Sequence, residues 1–250
     1  MDASAQTPFR RALRSFLEQR TARVGLILLF ILVVAAIGAD VFASYDPIQV
    51  LIDKEPGAVR LAGPCINLFG CDGPQHIFGL DNNVRDVFAR VLHGARLSLQ
   101  VGFLTVGFAI VLGLLIGAVS GFLGGWVDNL LMRIMDVLLA FPSLLLAIAI
   151  VTVIGPGLIN TQLAIGVVAI PIYARVMRAS VLGLRDREFV AASRALGASE
   201  TSILFRKILP NALTPIIVQG TLGIGGAILD VAALSFLGLG AQPPTAEWGS

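Results

Sequence analysis

The fold of this chain is decided by an uncharged stretch at residues 97–127, L-S-L-Q-V-G-F-L-T-V-G-F-A-I-V-L-G-L-L-I-G-A-V-S-G-F-L-G-G-W-V. An α-helix needs about 20 mostly apolar residues to cross a bilayer, so a membrane helix fits from Leu99 to Val119. The glycines of G-F-L-G-G after it predict a turn. Composition agrees, because 56% of the residues are hydrophobic and 14% are charged, which is too apolar for a soluble domain.

The same length criterion predicts four further spans. The first precedes residues 97–127, and no small-residue cleavage site follows it, which favours a retained anchor over a signal peptide. The uncharged run at 137–174 is too long for one crossing, and Gly155-Pro156-Gly157 near its centre predicts a break. We therefore expect an all-α, polytopic membrane helix bundle whose other spans lie at 24–42, 130–154, 161–182 and 212–233.

Basic residues cluster at two places, each beside an apolar span, which disfavours nucleic-acid binding and is typical of cytoplasmic segments of membrane proteins. Four crossings separate the clusters, so both fall on one side. We expect a cytoplasmic segment at 1–23, a first transmembrane helix at 24–42, a periplasmic loop at 43–96, and a core at 97–250 with a cytoplasmic loop at 183–210. The clustered residues are Arg10, Arg11, Arg14, Arg20 and Arg23, then Arg175, Arg178, Arg185, Arg187, Arg194, Arg206 and Lys207.

The 183–210 loop predicts a helix–turn–helix. Residues 187–196 all tolerate a helix, and Gly197 stands where a left-handed residue would end it. Ala198 or Ser199 begins the next helix, where Glu200 favours the helix dipole; that helix runs to Leu209, and Pro210 opens the last span. Taken alone, this pattern is equally typical of an amphipathic surface helix that binds nothing.

A family resemblance favours a docking role for the loop. Its A-A-S-x3-G, at residues 191–197, with L-P at 209–210, resembles the E-A-A-x3-G…L-P loop in permease subunits of bacterial ABC importers. The chain further resembles the subfamily that imports di- and oligopeptides, nickel and related solutes. The stretches that carry this resemblance are 79–99 (G-L-D-N-N-V-R-D-V-F-A-R-V-L-H-G-A-R-L-S-L), 131–147 (L-M-R-I-M-D-V-L-L-A-F-P-S-L-L-L-A), 155–160 (G-P-G-L-I-N) and 232–249 (A-A-L-S-F-L-G-L-G-A-Q-P-P-T-A-E-W-G).

The resemblance implies a type I ABC importer permease in the bacterial inner membrane, with its N-terminus in the cytoplasm. Its partners would be a second permease, two ATPase subunits that use ATP and Mg²⁺, a periplasmic solute-binding protein and membrane lipid. The chain would bind no cofactor or metal itself. The ATPase-coupling residues carried over are Glu188, Ala191, Ala192, Arg194, Gly197, Leu209 and Pro210.

The chain departs from the subfamily pattern at several positions. Ala191 replaces the motif glutamate and Ser193 the second alanine, while Lys207 stands where histidine is frequent and Leu80 where threonine is. Family members also continue past W-G-S into a sixth helix, so we expect five spans of six here, with the C-terminal one missing.

Charged residues inside a membrane are functional candidates. Asp230, near the outer end of the last span, either faces the transport pathway or sits at the interface paired with an arginine. Arg133 and Asp136 are expected to form a pair at the cytoplasmic boundary. Pro142 and Pro171 are expected to interrupt the third and fourth spans, either lining a cavity with freed backbone groups or only kinking the helix.

Two cysteines, Cys65 and Cys71, lie in the external loop. Cysteine pairs outside the cytoplasm oxidise, which favours a disulfide. The rival is a metal site using both thiols and His76, although three ligands fall short of the four usual for structural zinc. His93, in a predicted short helix beside Arg90 and Arg96, is expected to be structural.

Three functions therefore stay open at this point. The first is a permease for di- or oligopeptides, the second a permease for nickel or another small solute, and the third a membrane scaffold or channel that uses the loop for assembly. No ring of like charges or filter-like run favours a channel, and no catalytic constellation favours an enzyme. The sequence has no G-x4-G-K-[ST], so ATP would be hydrolysed by a partner.

Overall fold

The structure is a computed structural model that describes residues 16–52, 54–55 and 57–249. Arg10, Arg11 and Arg14 of the N-terminal basic cluster lie outside the described residues. Within the described ranges the regular structure is helical and the β-structure is confined to isolated bridges, Cys65 to His76 and Leu80 to Asp86. The prediction of an all-α chain is therefore confirmed.

The helices follow one another with short connections. In chain order they are α1 (Arg20–Ile37), α2 (Ala39–Phe42), α3 (Val87–Leu123), α4 (Gly125–Leu139), α5 (Ser143–Ile154), α6 (Leu158–Arg185), α7 (Glu188–Ala195), α8 (Glu200–Ile203) and α9 (Leu209–Phe236), with a π-helical turn at Leu204–Ile208 between the last two.

Four helical runs in the described part of the chain are long and apolar enough to cross a membrane. A fifth span is reached if α4 and α5, which are bent by 91° relative to each other, count as one. The predicted polytopic bundle is therefore confirmed, with spans at Arg20–Ile37, Val87–Leu123, Leu158–Arg185 and Glu200–Phe236 besides the bent pair.

The third span, predicted at 130–154 with an interruption at Pro142, corresponds to the bent pair α4 and α5. The helix stops at Leu139 and resumes at Ser143, because proline has no backbone N–H to donate and disfavours the helical conformation in the residue before it. Pro142 thus interrupts the span as predicted. Pro171, in contrast, lies inside the continuous helix α6, so its expected interruption does not occur.

One other boundary differs from the sequence prediction. The short helix expected around His93 is the first part of α3, which runs without interruption from Val87 to Leu123. Pro210 lies in the first turn of α9, as predicted, and the helical run from Glu200 continues through the π turn into α9. The wider π turn before Pro210 relieves the clash of its ring with the carbonyl four residues earlier.

The chain forms two compact units, one ending at Leu97 and the other beginning at Ser98. In the first, Leu51, Leu80 and Val84 form a small buried cluster. The Arg96 guanidinium donates to the carbonyls of Ala36 and Ile37, both at 3.0 Å. It thereby satisfies carbonyls that the end of α1 leaves without helical partners.

The second unit is built on close packing of α3 against α6. Gly113, Gly117 and Gly121 recur every four residues of α3 on the side that faces α6. A Cβ at Gly121 would lie 2.9 Å from the Arg178 carbonyl oxygen, so only glycine allows the two backbones to approach this closely. Small residues at this spacing are a common means of helix association in membranes.

Candidate functional site

Within the second unit, helix α7 buries one side chain. Val190 has no exposed surface and belongs to a core cluster with Met177 and Val181 of α6. Ile203 and Ile208, later in the 183–210 loop, and Ile216 of α9 belong to the same cluster. Val190 therefore shares one close-packed cluster with side chains of both α6 and α9.

The turn after α7 has the geometry that the sequence predicts. Gly197 has φ +80°, the left-handed conformation that favours glycine. Ser199 caps the next helix by accepting from the Ser202 amide at 3.4 Å, and Glu200 lies in its first turn. The local signals for this turn are confirmed.

An exposed ion pair spans the turn at Gly197. The Arg194 Nε and Nη2 atoms donate to the two carboxylate oxygens of Glu200 at 2.6 and 2.9 Å. This hydrogen bonding raises the pKa of Arg194 above its ordinary value. Because the guanidinium fork is used within the loop, the side chain of Arg194 links α7 to α8 across Gly197.

Most of the predicted coupling residues share one exposed segment. Glu188, Ala191, Ala192, Arg194, Gly197 and Pro210 are exposed, whereas Leu209 is partly buried against the Val190 cluster. Sequence reasoning missed three apolar side chains of the same segment that are also exposed: Phe189 at 40%, Leu196 at 88% and Phe205 at 61%. The surface is therefore apolar and small-residue in character, with charges at its edge.

A partly buried ion pair that sequence reasoning missed joins α4 to α6. The Arg178 Nε and Nη2 atoms donate to the two carboxylate oxygens of Asp128, both at 2.5 Å, and the Ser120 hydroxyl also donates to Asp128. The Arg185 guanidinium donates to the Gly121 carbonyl at 3.0 Å. The only sequence signal was a carboxylate directly after the uncharged stretch 97–127.

The expected pair of Arg133 with Asp136 is wrong. Asp136 instead accepts from the Arg175 Nη2 atom at 2.6 Å, and both side chains are about half exposed. Residues three apart on one helix are neighbours, but the packing of α6 beside α4 offers Asp136 an arginine directly. This second ion pair again links α4 to α6.

Asp230 of α9 lies on the wall of a cavity of about 130 Å³. The other lining residues are Ser143, Leu144 and Ala147 of α5 and Ile165, Val168, Ala169 and Ile172 of α6. The expected alternative, a pairing with an arginine, is not seen in the described part of the chain, since no hydrogen bond or ion pair there involves Asp230.

The loop at residues 43–96 is fixed by covalent and polar contacts. Cys65 and Cys71 are joined by a disulfide with Cα atoms 5.5 Å apart. The ring nitrogens of His76 contact Asp86 at 2.8 Å and Glu55 at 3.0 Å, which leaves neither nitrogen for the rival metal site. The pKa of Tyr45 is raised to about 12, mainly by burial and secondly by its hydrogen bond with Glu55.

The other histidine is also held by structural contacts. His93 contacts the Ala89 carbonyl at 3.0 Å and the Asp40 carboxylate at 3.1 Å. Within the described residues, no group of three or more His, Cys, Asp or Glu side chains is arranged to hold a metal ion.

Two families match parts of this chain. Residues 109–250 match the family described as binding-protein-dependent transport system inner membrane component. Residues 7–64 match the N-terminal TM domain of oligopeptide transport permease C. Together these matches include the 183–210 loop, the bent pair α4 and α5, and the first span.

Curated relatives are similar over nearly the whole chain. The chain is 46% identical to the dipeptide transport system permease protein DppC of Alkalihalophilus pseudofirmus, over 98% of this chain and 77% of that protein. It is 43% identical to the di/tripeptide transport system permease protein DppC of Pseudomonas aeruginosa, over 98% and 78%. Identity to the glutathione transport system permease protein GsiD of Escherichia coli is 42%, over 98% and 77%.

Among solved structures, a chain of the MetNI methionine ABC transporter in an inward-facing conformation is similar in fold. The TM-score is 0.54, and the match covers 61% of this chain and 76% of that one. At 21% sequence identity, this similarity supports the architecture of the helix bundle alone.

Proposed function

Because this chain belongs to the family of binding-protein-dependent transport system inner membrane components, the permease subunits of ABC importers, we propose that it carries di- or oligopeptides across the bacterial inner membrane. The observation that carries the choice of cargo is its 46% and 43% identity, over 98% of its length, to permeases named for dipeptides and di/tripeptides. Glutathione, named for a third relative, is itself a small peptide. Nickel is not favoured, since these relatives are named for peptides.

The proposed assembly contains four kinds of subunit. This chain and a second permease line the pathway, two ATPase subunits bind and hydrolyse ATP with Mg²⁺, and a periplasmic binding protein delivers the peptide. The N-terminus and the 183–210 loop face the cytoplasm, where basic residues accumulate. The chain acts as a transport subunit and leaves the phosphoryl chemistry to its partners.

Coupling in this proposal runs through α7. Closure of the ATPase dimer presses on the exposed surface of α7, where Ala191 and Ala192 permit close approach and Phe189 and Leu196 supply apolar contact. Val190 passes the displacement to the core cluster of α6 and α9. Arg194 and Glu200 keep α7 and α8 moving together. Such a switch requires contacts that differ between the two states.

Purification of the N-terminally tagged chain from its native membrane in mild detergent tests the assembly. We expect ATPase subunits and a second permease to copurify. Recovery of this chain alone, in a complex that survives detergent, would instead favour a scaffold or channel. In proteoliposomes, we expect the purified complex to take up a labelled dipeptide with ATP and to leave Ni²⁺ outside.

Replacing Gly197 with valine tests the coupling turn. A β-branched residue is strained at φ +80°, so we expect peptide uptake to fall at least tenfold while basal ATP hydrolysis and assembly persist. The matched control is Gly183→Val, because Gly183 lies in helix α6 with nothing within 4 Å of an added Cβ. Wild-type uptake by the Gly197 variant would exclude the turn from coupling.

A further inference from the structure

The carboxylates of the spanning helices differ in whether an arginine pairs with them. Asp128 and Asp136 of α4 are each paired with an arginine of α6. Asp230 lies six residues before the end of α9, roughly 9 Å inside it at 1.5 Å per residue, and has no such partner among the described residues. An ionised carboxylate at membrane depth is costly and is normally paired. Asp230 is therefore complementary to a cation that this part of the chain does not supply.

The surroundings of Asp230 indicate a place where a ligand can pass. The cavity is lined by apolar side chains apart from Asp230 and Ser143, and it lies at the start of α5, next to the 91° bend of residues 140–142. Non-helical backbone at membrane depth is tolerated where it is buried in protein or lines a water-filled cavity. The volume of about 130 Å³ exceeds the roughly 10–15 Å³ that one water needs, so a partly hydrated charged group fits.

The chemistry of the cavity favours a protonated amine over Ca²⁺. Ca²⁺ takes six to eight oxygen ligands, whereas the polar lining side chains here are one carboxylate and one hydroxyl. An ammonium group has three donors and needs only a few acceptors. The Asp230 carboxylate and the Ser143 hydroxyl supply two, and water supplies the third.

We propose that Asp230 binds the protonated amine of the peptide cargo as it crosses the membrane, with Ser143 as a second acceptor in the same cavity. This inference rests on the proposed function and adds a residue that recognises the chemical class of the cargo. Asp230 is exposed in the single chain, so the attraction stays weak enough for release, which transport requires.

The test uses the complete importer in proteoliposomes, with Asp230→Asn, Asp230→Glu and, as a matched control, Asp136→Asn. For Asp230→Asn we expect at least a fivefold fall in labelled Ala-Ala transported per ATP hydrolysed, with ATP hydrolysis within twofold of wild type. Asp230→Glu keeps the charge and should retain more than half of the uptake. Asp136→Asn should transport as the wild type does, because Asp136 lies outside the cavity.

A second measurement separates cargo binding from a contact with another subunit. We expect the Tm of the cargo-free complex to be unchanged or higher in Asp230→Asn, since this charge has no ion-pair or hydrogen-bond partner among the described residues of the chain. A lower Tm with loss of assembly or ATP hydrolysis would overturn the proposal and assign Asp230 to a subunit interface. Unchanged uptake in Asp230→Asn, or equal loss in Asp230→Glu, would also overturn it. A wild-type complex that transports no peptide would instead refute the proposed function.

Discussion

The two carboxylates of α4, Asp128 and Asp136, form ion pairs that differ in burial. Asp128 is held by both arms of the Arg178 guanidinium and by Ser120, whereas the pair of Asp136 and Arg175 is half exposed. A buried ion pair leaves an uncompensated charge when one partner is removed, and an exposed pair leaves a hydrated one. The two pairs join the same helices, so they can be compared directly.

We expect Asp128→Asn to destabilise the protein by roughly 2–3 kcal/mol. This is less than the 3–5 kcal/mol typical of a fully buried pair, because the Arg178 side chain is 34% exposed. Asp136→Asn is the control and should cost about 0–1 kcal/mol. Thermal unfolding of the purified protein in detergent measures both, and equal losses in the two variants would contradict the difference in burial.

The pairing of Asp40 makes the stability of the folded chain depend on pH, and the direction of that dependence follows from the pKa of Asp40. Hydrogen bonds from Arg96 and then His93 hold the pKa of Asp40 below its ordinary value of 3.8. Its pairing therefore stabilises the folded chain above that value, and the contribution is lost as the pH falls through the lower, folded pKa. We expect the Tm difference between wild type and Asp40→Asn to shrink between pH 5 and pH 3. A difference that stays constant to pH 3 would contradict this assignment.

At the scale of helices, packing is governed by close approach as much as by hydrophobic burial. The Gly113, Gly117 and Gly121 ridge of α3 brings it against α6, and α6 in turn holds the Val190 cluster under α7. Lipid tails are as apolar as leucine, so van der Waals contact between small residues is what favours helix association in a membrane. The position of α7 therefore depends on a glycine ridge elsewhere in the same unit.

We expect Gly117→Ala to destabilise the second unit by about 1–3 kcal/mol, the usual cost of overpacking. Its Cβ would lie 2.7 Å from the Met177 Cβ and 3.0 Å from the Arg178 amide nitrogen, with little freedom for either to move. The control is Gly107→Ala on the same helix, where nothing lies within 4 Å and no loss is expected. Thermal unfolding of both variants tests this, and equal stability would rule out tight contact at Gly117.

At the scale of the whole molecule, the bent pair α4 and α5 decides the topology. If the pair crosses the membrane, four crossings separate the N-terminus from the 183–210 loop and both face the cytoplasm. If the pair turns back, the crossings number three and the loop lies outside. The excess of arginine and lysine in both segments favours four crossings.

Single cysteines in a background lacking Cys65 and Cys71 test this topology in intact cells. Leu68 and Leu196 are both 88% exposed, so each accepts a cysteine without loss of packing. We expect a membrane-impermeant maleimide to label Leu68→Cys and to reach Leu196→Cys only after permeabilisation. Labelling of Leu196→Cys in intact cells would show that the pair turns back.

The sequence by itself determined the features that depend on neighbouring residues. Mostly apolar runs of sufficient length identified the spans. The order Gly197, Ser199, Glu200 specified the turn after α7, because caps and left-handed residues act within one helical turn. Pro142 likewise predicted its own interruption, but not the 91° angle that follows from it. The family resemblance could also be recognised from the sequence, since each motif that carries it is a contiguous stretch of residues.

Only the tertiary structure decided which distant residues meet. Asp128 lies 50 residues from Arg178 and Asp136 lies 39 residues from Arg175, and no local rule sets the register of α4 on α6. Pro171 and Pro210 sit within continuous helical runs, because surrounding packing and a π turn outweigh local preference. That Asp230 meets no partner among residues 16–52, 54–55 and 57–249 is likewise a property of the packed bundle, because folding decides which charges come near it.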